Sequence, residues 1–195
     1  MPGEASEHVW YVAYGSNLHE ARFLAYLTGC GDDEPWGPHR GAADKSPPVA
    51  DRRVEVSHSV RFGGNSQRWG GGCCFCPVEP VPDGRLTPVG RAWLVTVSQL
   101  ADIITQENRL PPDAVTMPDR FPEPGNSVRV LDGPIDRLLT LQPLDDIPAV
   151  TLASTDLPPN TPPAPRYRSV LATGMAEMGM KHEAIEAHLV DLDLS

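Results

Sequence analysis

Proline limits this chain more than any other residue. There are 22 prolines and 17 glycines among 195 residues. Each proline fixes φ at about −65° and removes a backbone donor, so long uninterrupted helices and interior strands are excluded at this density. The chain must use short elements and many turns. Its length suits one domain with its own core, spanning 1–195, with Pro/Gly-rich loops at 30–50, 111–127 and 155–166.

Charge narrows the partners. The formal net charge is -10. A nucleic-acid binder needs clustered Lys/Arg to displace counterions from phosphates, and here the balance runs the other way. An anionic membrane surface is disfavoured for the same reason. No apolar run is long enough to cross a bilayer. The opening MPGEASEHVWYVAYG lacks a basic region followed by an apolar one, so no signal peptide is read there and a cytoplasmic location is expected. The sequence leaves monomer and homodimer both open.

Cys73, Cys74 and Cys76 cluster in GGCCFCPV, and Cys30 stands apart. Zinc sites combine one such pair with a second pair elsewhere, which is missing here. Strand alternation would put Cys74 and Cys76 on one face and Cys73 on the other, as small core residues. No metal is expected.

Residues 9–14, VWYVAY, read as a buried strand ending at Gly15. A short helix follows, capped by Ser16 or Asn17, with Leu18, Ala21, Leu24, Ala25 and Leu27 inward and Gly29 as its stop. Residues 51–62 alternate as one strand, with Val54, Val56, His58, Val60 and Phe62 on one face. FGGNSQRWGGG is a hairpin or cradle, CCFCPVEPV a strand, Asp83-Gly84 a turn and VGRAWLVTV another strand. Ser98 is placed to cap a helix with Leu100, Ile103 and Ile104 on one face, ended by Pro111-Pro112. Strands are expected near 136–142 and 149–154, joined at Asp145-Asp146. DLPPNTPPAPRY is read as an extended connector, and a last helix at about 180–193 turns Ile185, Leu189 and Leu192 inward. This order is not a regular βαβ alternation. It implies an α+β fold, a small mixed β-barrel with peripheral short helices.

The chemistry concentrates in YGSNL, Tyr14 to Leu18. A strand feeding a Gly-Ser turn and a helix start leaves amides unpaired, and with the helix dipole they suit a carboxylate or phosphate. Gly15 permits close backbone approach, and Ser16 and Asn17 add side-chain donors. A plain helix start explains the pentapeptide equally well. P-loop and dinucleotide fingerprints are absent, which favours a small carboxylate over a pyrophosphate.

YVAYGSNL resembles the N-terminal signature of the γ-glutamylcyclotransferase family. FGGNSQRWGGG, VGRAWLVTVSQLADIITQEN and PPAPRYRSVLATGMAEMGM resemble, in order, that family's Trp-Gly-Gly segment, its strand–helix segment with a Gln-Glu pair, and its Tyr-containing C-terminal segment. The resemblance implies a barrel with helices and a cofactor-free reaction on a small γ-glutamyl compound. In it the glutamyl α-amine attacks its own γ-carbonyl, releasing 5-oxoproline and an amine or amino acid. Tyr14, Gly15, Ser16, Asn17 and Leu18 would cradle the α-carboxylate, and Glu107 would be the general acid/base.

Elementary chemistry is consistent with that role. An α-ammonium must lose a proton before it attacks, and a carboxylate of raised pKa can take that proton and return it to the leaving amine. Ile103 and Ile104 stand in helical register with Glu107 and are expected to desolvate it. Proximity can contribute ~7–11 kcal/mol to such a cyclisation. Ser66 and Trp69 are candidate pocket residues, and the glycine stretch a candidate source of N–H groups for an oxyanion. Tyr167 is a candidate donor to substrate. Relatives acting on γ-glutamyl amino acids carry additional aromatic residues after the catalytic Glu and on later strands, and NRLPPDAVTMP and PAVTLAST supply none. This leaves the amine side of the substrate open. The alternatives are a non-catalytic carboxylate-binding module on the same fold, or a lyase or amide hydrolase using the same Glu.

Overall fold

A computed structural model describes residues 7–80 and 86–193. The Asp83-Gly84 turn and the first residues of the N-terminus lie outside the described residues. Eight strands and four α-helices are present among the described residues. Strand β1 (His8–Ala13) leads through a 3-10 turn (Ser16–Leu18) into α1 (Glu20–Thr28). Then come β2 (Ala50–Glu55), β3 (Arg61–Ser66), β4 (Gly71–Phe75), β5 (Val89–Thr96) and α2 (Val97–Glu107). The chain ends with β6 (Ser127–Arg129), β7 (Arg137–Leu144), β8 (Ile147–Ala153), α3 (Pro165–Glu177) and α4 (His182–Asp193).

Six strands form one mixed sheet in the order β2-β5-β1-β8-β7-β6, and β3 and β4 form a separate hairpin. The α+β class therefore holds, but the sheet is open among the described residues, with β2 and β6 as its edges. The expected small mixed β-barrel is not confirmed on this point. Strand β1 sits centrally, antiparallel to β5 and parallel to β8. Its side chains alternate between two cores. Trp10, Val12 and Tyr14 join a cluster with Leu171, Met175, Ile185, Leu189 and Leu192 from α3 and α4. Val9, Tyr11 and Ala13 join a cluster with Phe23 and Leu27 of α1 and with Leu100, Ile103 and Ile104 of α2. Helices on both faces explain why β1 reads as a continuous apolar run. No described helix is long and apolar enough to cross a membrane.

Several local expectations change. The alternation over 51–62 is split into β2 and β3, although Val56, His58, Val60 and Phe62 are all buried as the pattern required. Helix α1 begins only at Glu20, with His19 as its cap position and no side-chain cap, so neither Ser16 nor Asn17 caps it. That shift rotates the helix: Ala21 is exposed while Arg22, Phe23, Ala25, Tyr26 and Leu27 are buried. Helix α2 is capped by Thr96, not Ser98, in a reciprocal box with Gln99. It ends at Glu107, before Pro111. Asp145 and Asp146, both at positive φ, make the tight β7–β8 turn. Helix α3 starts with Pro165 inside the stretch read as an extended connector. Cys74 and Cys76 are buried and Cys73 is half-buried.

Candidate active site

The 3-10 turn after β1 is fixed from several sides. The Tyr14 hydroxyl donates to Leu152 O of β8 at 2.7 Å. Trp93 Nε1 of β5 donates to Asn17 O at 3.0 Å, and Arg91 Nη1 donates to Leu18 O at 3.0 Å. Arg91 is itself buried and bonded to Asp51, Glu177 and Glu20, so it ties β2, α3 and α1 to the turn. Gly174 of α3 lies so close to the backbone of Leu18 and His19 that a Cβ there would overlap them. A Cβ on Gly15 would stand 3.0 Å from the Tyr167 hydroxyl. Here glycine serves close packing, since Gly15 has a negative φ of -117.

A cavity of about 440 Å³ opens beside this turn. Its walls are Tyr14, Gly15, Ser16 and Asn17, residues Tyr11 of β1 and Arg22 and Tyr26 of α1, the β3–β4 hairpin, and the C-terminal end of α2 with Gln106 and Glu107. Thus the turn and Glu107, 90 positions apart in sequence, share one hollow. Asn17 Nδ2 donates to Glu107 Oε1 at 2.8 Å and lies 3.2 Å from the Tyr11 hydroxyl. Asn17 is 3% exposed, and its Oδ1 is buried with no partner. Such an orphaned acceptor is uncommon in a folded interior and suits a ligand donor, such as an ammonium.

Glu107 is half-buried, and its surroundings differ from those expected. Ile103 and Ile104 point into the core. The carboxylate instead meets Asn17 Nδ2, with the Tyr26 hydroxyl near enough to feel its charge. Burial, and after it the Glu107 charge, hold the Tyr11 and Tyr26 hydroxyls well above the usual tyrosine range. Both therefore stay protonated donors at neutral pH. Gln106 donates to Tyr26 O at 2.9 Å, which locks the end of α2 onto α1, while its Oε1 is buried without a partner.

Ser66 and Trp69 line the cavity, and Trp69 packs on Tyr167 with ring centroids 5.2 Å apart. The Tyr167 hydroxyl accepts from Cys74 N at 3.1 Å, so Tyr167 is a wall residue already engaged with the hairpin. Leu18 does not line the cavity. The 3-10 turn carries its side chain, 0% exposed, into the core under α3, which corrects its place among the substrate-binding residues.

The glycine-rich hairpin also does something different from what was expected. Gly64 N and Gly72 N donate to Pro159 O and Pro162 O, and Gly70 N to Ser66 O. These amides are already paired and are not free for an oxyanion. Gly71 and Gly72 lack side chains because the 161–164 connector crosses directly over them.

The sequence reading missed Tyr11, Arg22, Tyr26, His39 and Arg68. Arg22 Nη2 donates to the Tyr26 hydroxyl at 2.7 Å, and the guanidinium lies 4.3 Å over that ring. Arg22 Nη1 and Arg68 Nη1 both reach His39 Nε2, at 2.9 and 2.8 Å. His39 Nδ1 bonds Gly37 O at 3.0 Å, so the neutral ring carries its proton on Nδ1 and accepts at Nε2. Burial, together with the two guanidinium charges, lowers the His39 pKa to about 4. The i, i+4 spacing of Arg22 and Tyr26 was the one available signal. Among the described residues no cluster of three His, Cys, Asp or Glu side chains is placed to hold a metal.

No family model matches the chain. It is similar to histone deacetylase 5 of Arabidopsis thaliana, 29% identical over 211 residues, covering 95% of this chain and 31% of that protein. The chain thus spans about a third of the length of the curated relative it matches. Among solved structures it is similar to a γ-glutamyl cyclotransferase, with a TM-score of 0.54 and 19% identity over 93% of this chain and 86% of that one. An uncharacterised protein of Homo sapiens matches with a TM-score of 0.53 and 19% identity, over 94% of this chain and 87% of the other. YkqA of Bacillus subtilis matches with a TM-score of 0.51 and 14% identity, over 96% of this chain and 55% of the other. At these identities the likeness is one of fold, and the chain has the γ-glutamyl cyclotransferase fold.

Proposed function

We propose that the protein is a γ-glutamyl cyclotransferase, releasing 5-oxoproline and an amine or amino acid from a γ-glutamyl compound. The observation that carries this reading is the 2.8 Å contact between Glu107 Oε1 and Asn17 Nδ2 inside a cavity of substrate size. It sets a carboxylate beside the turn, where the amides of Ser16 and Asn17 open a helical segment and have no intrahelical acceptor.

In this reading the α-carboxylate of the substrate lies against that turn. Its α-ammonium faces Glu107 and the unpartnered Asn17 Oδ1. Glu107 takes one proton from the ammonium, and the freed amine attacks the γ-carbonyl. The new C–N bond closes the five-membered ring, and the old amide C–N bond breaks. The attacking nitrogen sheds a second proton as the lactam forms, and Glu107 passes both protons in turn to the departing nitrogen, which leaves as an ammonium, so protons and electrons balance with no external reactant. The chain's part is to hold amine and carbonyl together and to exclude competing water. As written, the reaction needs no metal or organic cofactor.

The test is a panel of γ-glutamyl amino acids, peptides and amines, with products read by mass. Release of 5-oxoproline is expected from at least one compound, and Glu107→Gln is expected to abolish it with an unchanged melting temperature. Release of glutamate instead would identify an amide hydrolase. Retained turnover in Glu107→Gln would remove the proton-transfer role.

A further inference from the structure

We infer that a second hollow, at the opposite end of α2 from Glu107, is a docking groove for a basic peptide segment that sets Lys or Arg beside apolar side chains. This stands apart from the cyclotransferase reading and does not depend on it.

The groove begins where α2 begins. Thr96, Val97 and Ser98 form one side of it, and α2 is 11 residues long. At 1.5 Å per residue, about 16 Å separates this end of the helix from the end that carries Glu107. A second side is the segment 117–124, with Met117, Phe121 and three prolines. A third is formed by the paired ends of β7 and β8, with Leu141, Pro143 and Pro148. Met117 and Phe121 also pack against the α2 core, which anchors their wall. The volume is about 1080 Å³. Small-molecule pockets run from about 300 to 1,000 Å³, so a stretch of peptide fits this groove better than a small ligand does. Proline stiffens the walls, which lowers the ordering cost of binding.

Charge selects the occupant. Glu7, Asp44, Asp119, Glu123 and Asp146 line the groove, against Arg120 alone among the described residues. The whole chain is far less one-sided, with 26 acidic and 16 basic residues. The cavity at the other end of α2 has the reverse balance, Arg22, Arg68 and Arg109 against Glu107. The acidity of the groove is therefore local. None of its five carboxylates forms an ion pair among the described residues. Like charges on low-dielectric walls focus their field into the cleft and attract a cation there. The same field repels nucleic acid and anionic lipid.

Thr140 is an independent sign of a ligand. It lines the groove, is 4% exposed, and its Oγ1 is buried with no partner. Strand alternation puts it on the same face of β7 as Leu138, the α2 side of the sheet. Its backbone is already used, since Thr140 N donates to Asn126 O at 2.9 Å and Gly125 N donates to Thr140 O at 2.8 Å. The hydroxyl is left over, where a valine would fill the same space with no polar group to satisfy. A peptide N–H or an ammonium in the groove gives it a donor.

Random octapeptides displayed on phage and panned against the intact, unmutated chain test this. The enriched peptides are expected to carry Lys or Arg next to apolar residues. The most enriched one, synthesised with a fluorescein label, is the probe for polarisation titrations. Two proteins altered outside the proposed active site are compared: Asp119→Lys with Glu123→Lys, both exposed, and the isosteric Thr140→Val. Affinity is expected to fall at least about tenfold in the first and about fivefold in the second. Hydrogen exchange on the unmutated chain needs no variant: the probe should slow exchange across 117–126 and leave the 61–75 hairpin unchanged. The groove assignment is overturned by no enrichment, by enrichment of acidic or uncharged peptides, or by unchanged affinity in either variant. Protection at the hairpin in place of 117–126 overturns it as well. The γ-glutamyl panel has no bearing on any of these results.

Discussion

Gly174→Ala should destabilise this protein, although the same change in an ordinary helix stabilises it. Alanine in a helix interior is favoured over glycine by about 1 kcal/mol. At Gly174 the added Cβ would stand 2.5 Å from His19 N and 2.7 Å from Leu18 Cβ, and would overlap Leu18 C. Two of those atoms are backbone of the turn that Arg91, Trp93 and Tyr14 hold in place, so relief requires moving α3 or the turn. Forcing a methyl into a packed contact costs about 1–3 kcal/mol, and against a fixed backbone the upper half of that range applies. Subtracting the propensity gain leaves a net loss of about 1–2 kcal/mol, or roughly 2–8 °C in melting temperature for a domain of this size. Urea unfolding and thermal melts would measure it, with exposed Thr173→Ala on the same helix as a control staying within about 0.5 kcal/mol. Because the displaced backbone belongs to the proposed carboxylate cradle, KM should also rise. If Gly174→Ala melts at or above the unmutated temperature, the claim that α3 packs directly on the turn is wrong.

Arg91→Met should lose about 2–3 kcal/mol in urea unfolding, because Asp51, Glu177 and Glu20 lose a common partner. Partial access of those carboxylates to water keeps the value below that of a fully buried pair. Thr96→Ala removes the cap of α2, including its bond to Gln99 N at 3.1 Å, and should lower stability by about 1 kcal/mol by the same assay. Acidification should destabilise through His39, whose folded pKa of about 4 lies below the unfolded value of 6.5. Between those limits the unfolded chain binds more protons, so stability falls as pH drops through that window and is unaffected by this group above it. Unfolding free energies measured from pH 7 to 4 should show this slope, and His39→Gln should flatten it by up to roughly one proton.

The resemblance named Tyr14, Gly15, Ser16, Asn17 and Glu107 together, and the structure brings these residues to one cavity. It missed the basic half of that cavity for an identifiable reason. An arginine in the first turn of a short helix reads as solvent-exposed, and Arg22 becomes buried only because His39 and Arg68, from two distant segments, close over it. Helix α3 escaped notice because Pro162 and Pro163 precede it and Pro165 opens it. Its inward residues Tyr167, Leu171, Gly174 and Met175 nevertheless keep helical spacing, and Pro165 is a legitimate first-turn residue. Leu18 was misplaced because sequence gives its position in a turn, not the direction its side chain takes.

Local patterning, from sequence alone, determined most of the strands, the helices α1, α2 and α4, and which side chains are apolar, since period and turn chemistry depend on near neighbours. It thereby set the α+β class, the Asp145-Asp146 turn and the inward faces of α2 and α4. Tertiary structure decided whether the sheet closes, where β2 and β3 part, which carbonyls absorb the hairpin amides, and which charges are left without partners. Those outcomes depend on contacts between residues tens to more than a hundred positions apart, whose pairing is fixed only when both segments pack against the same core.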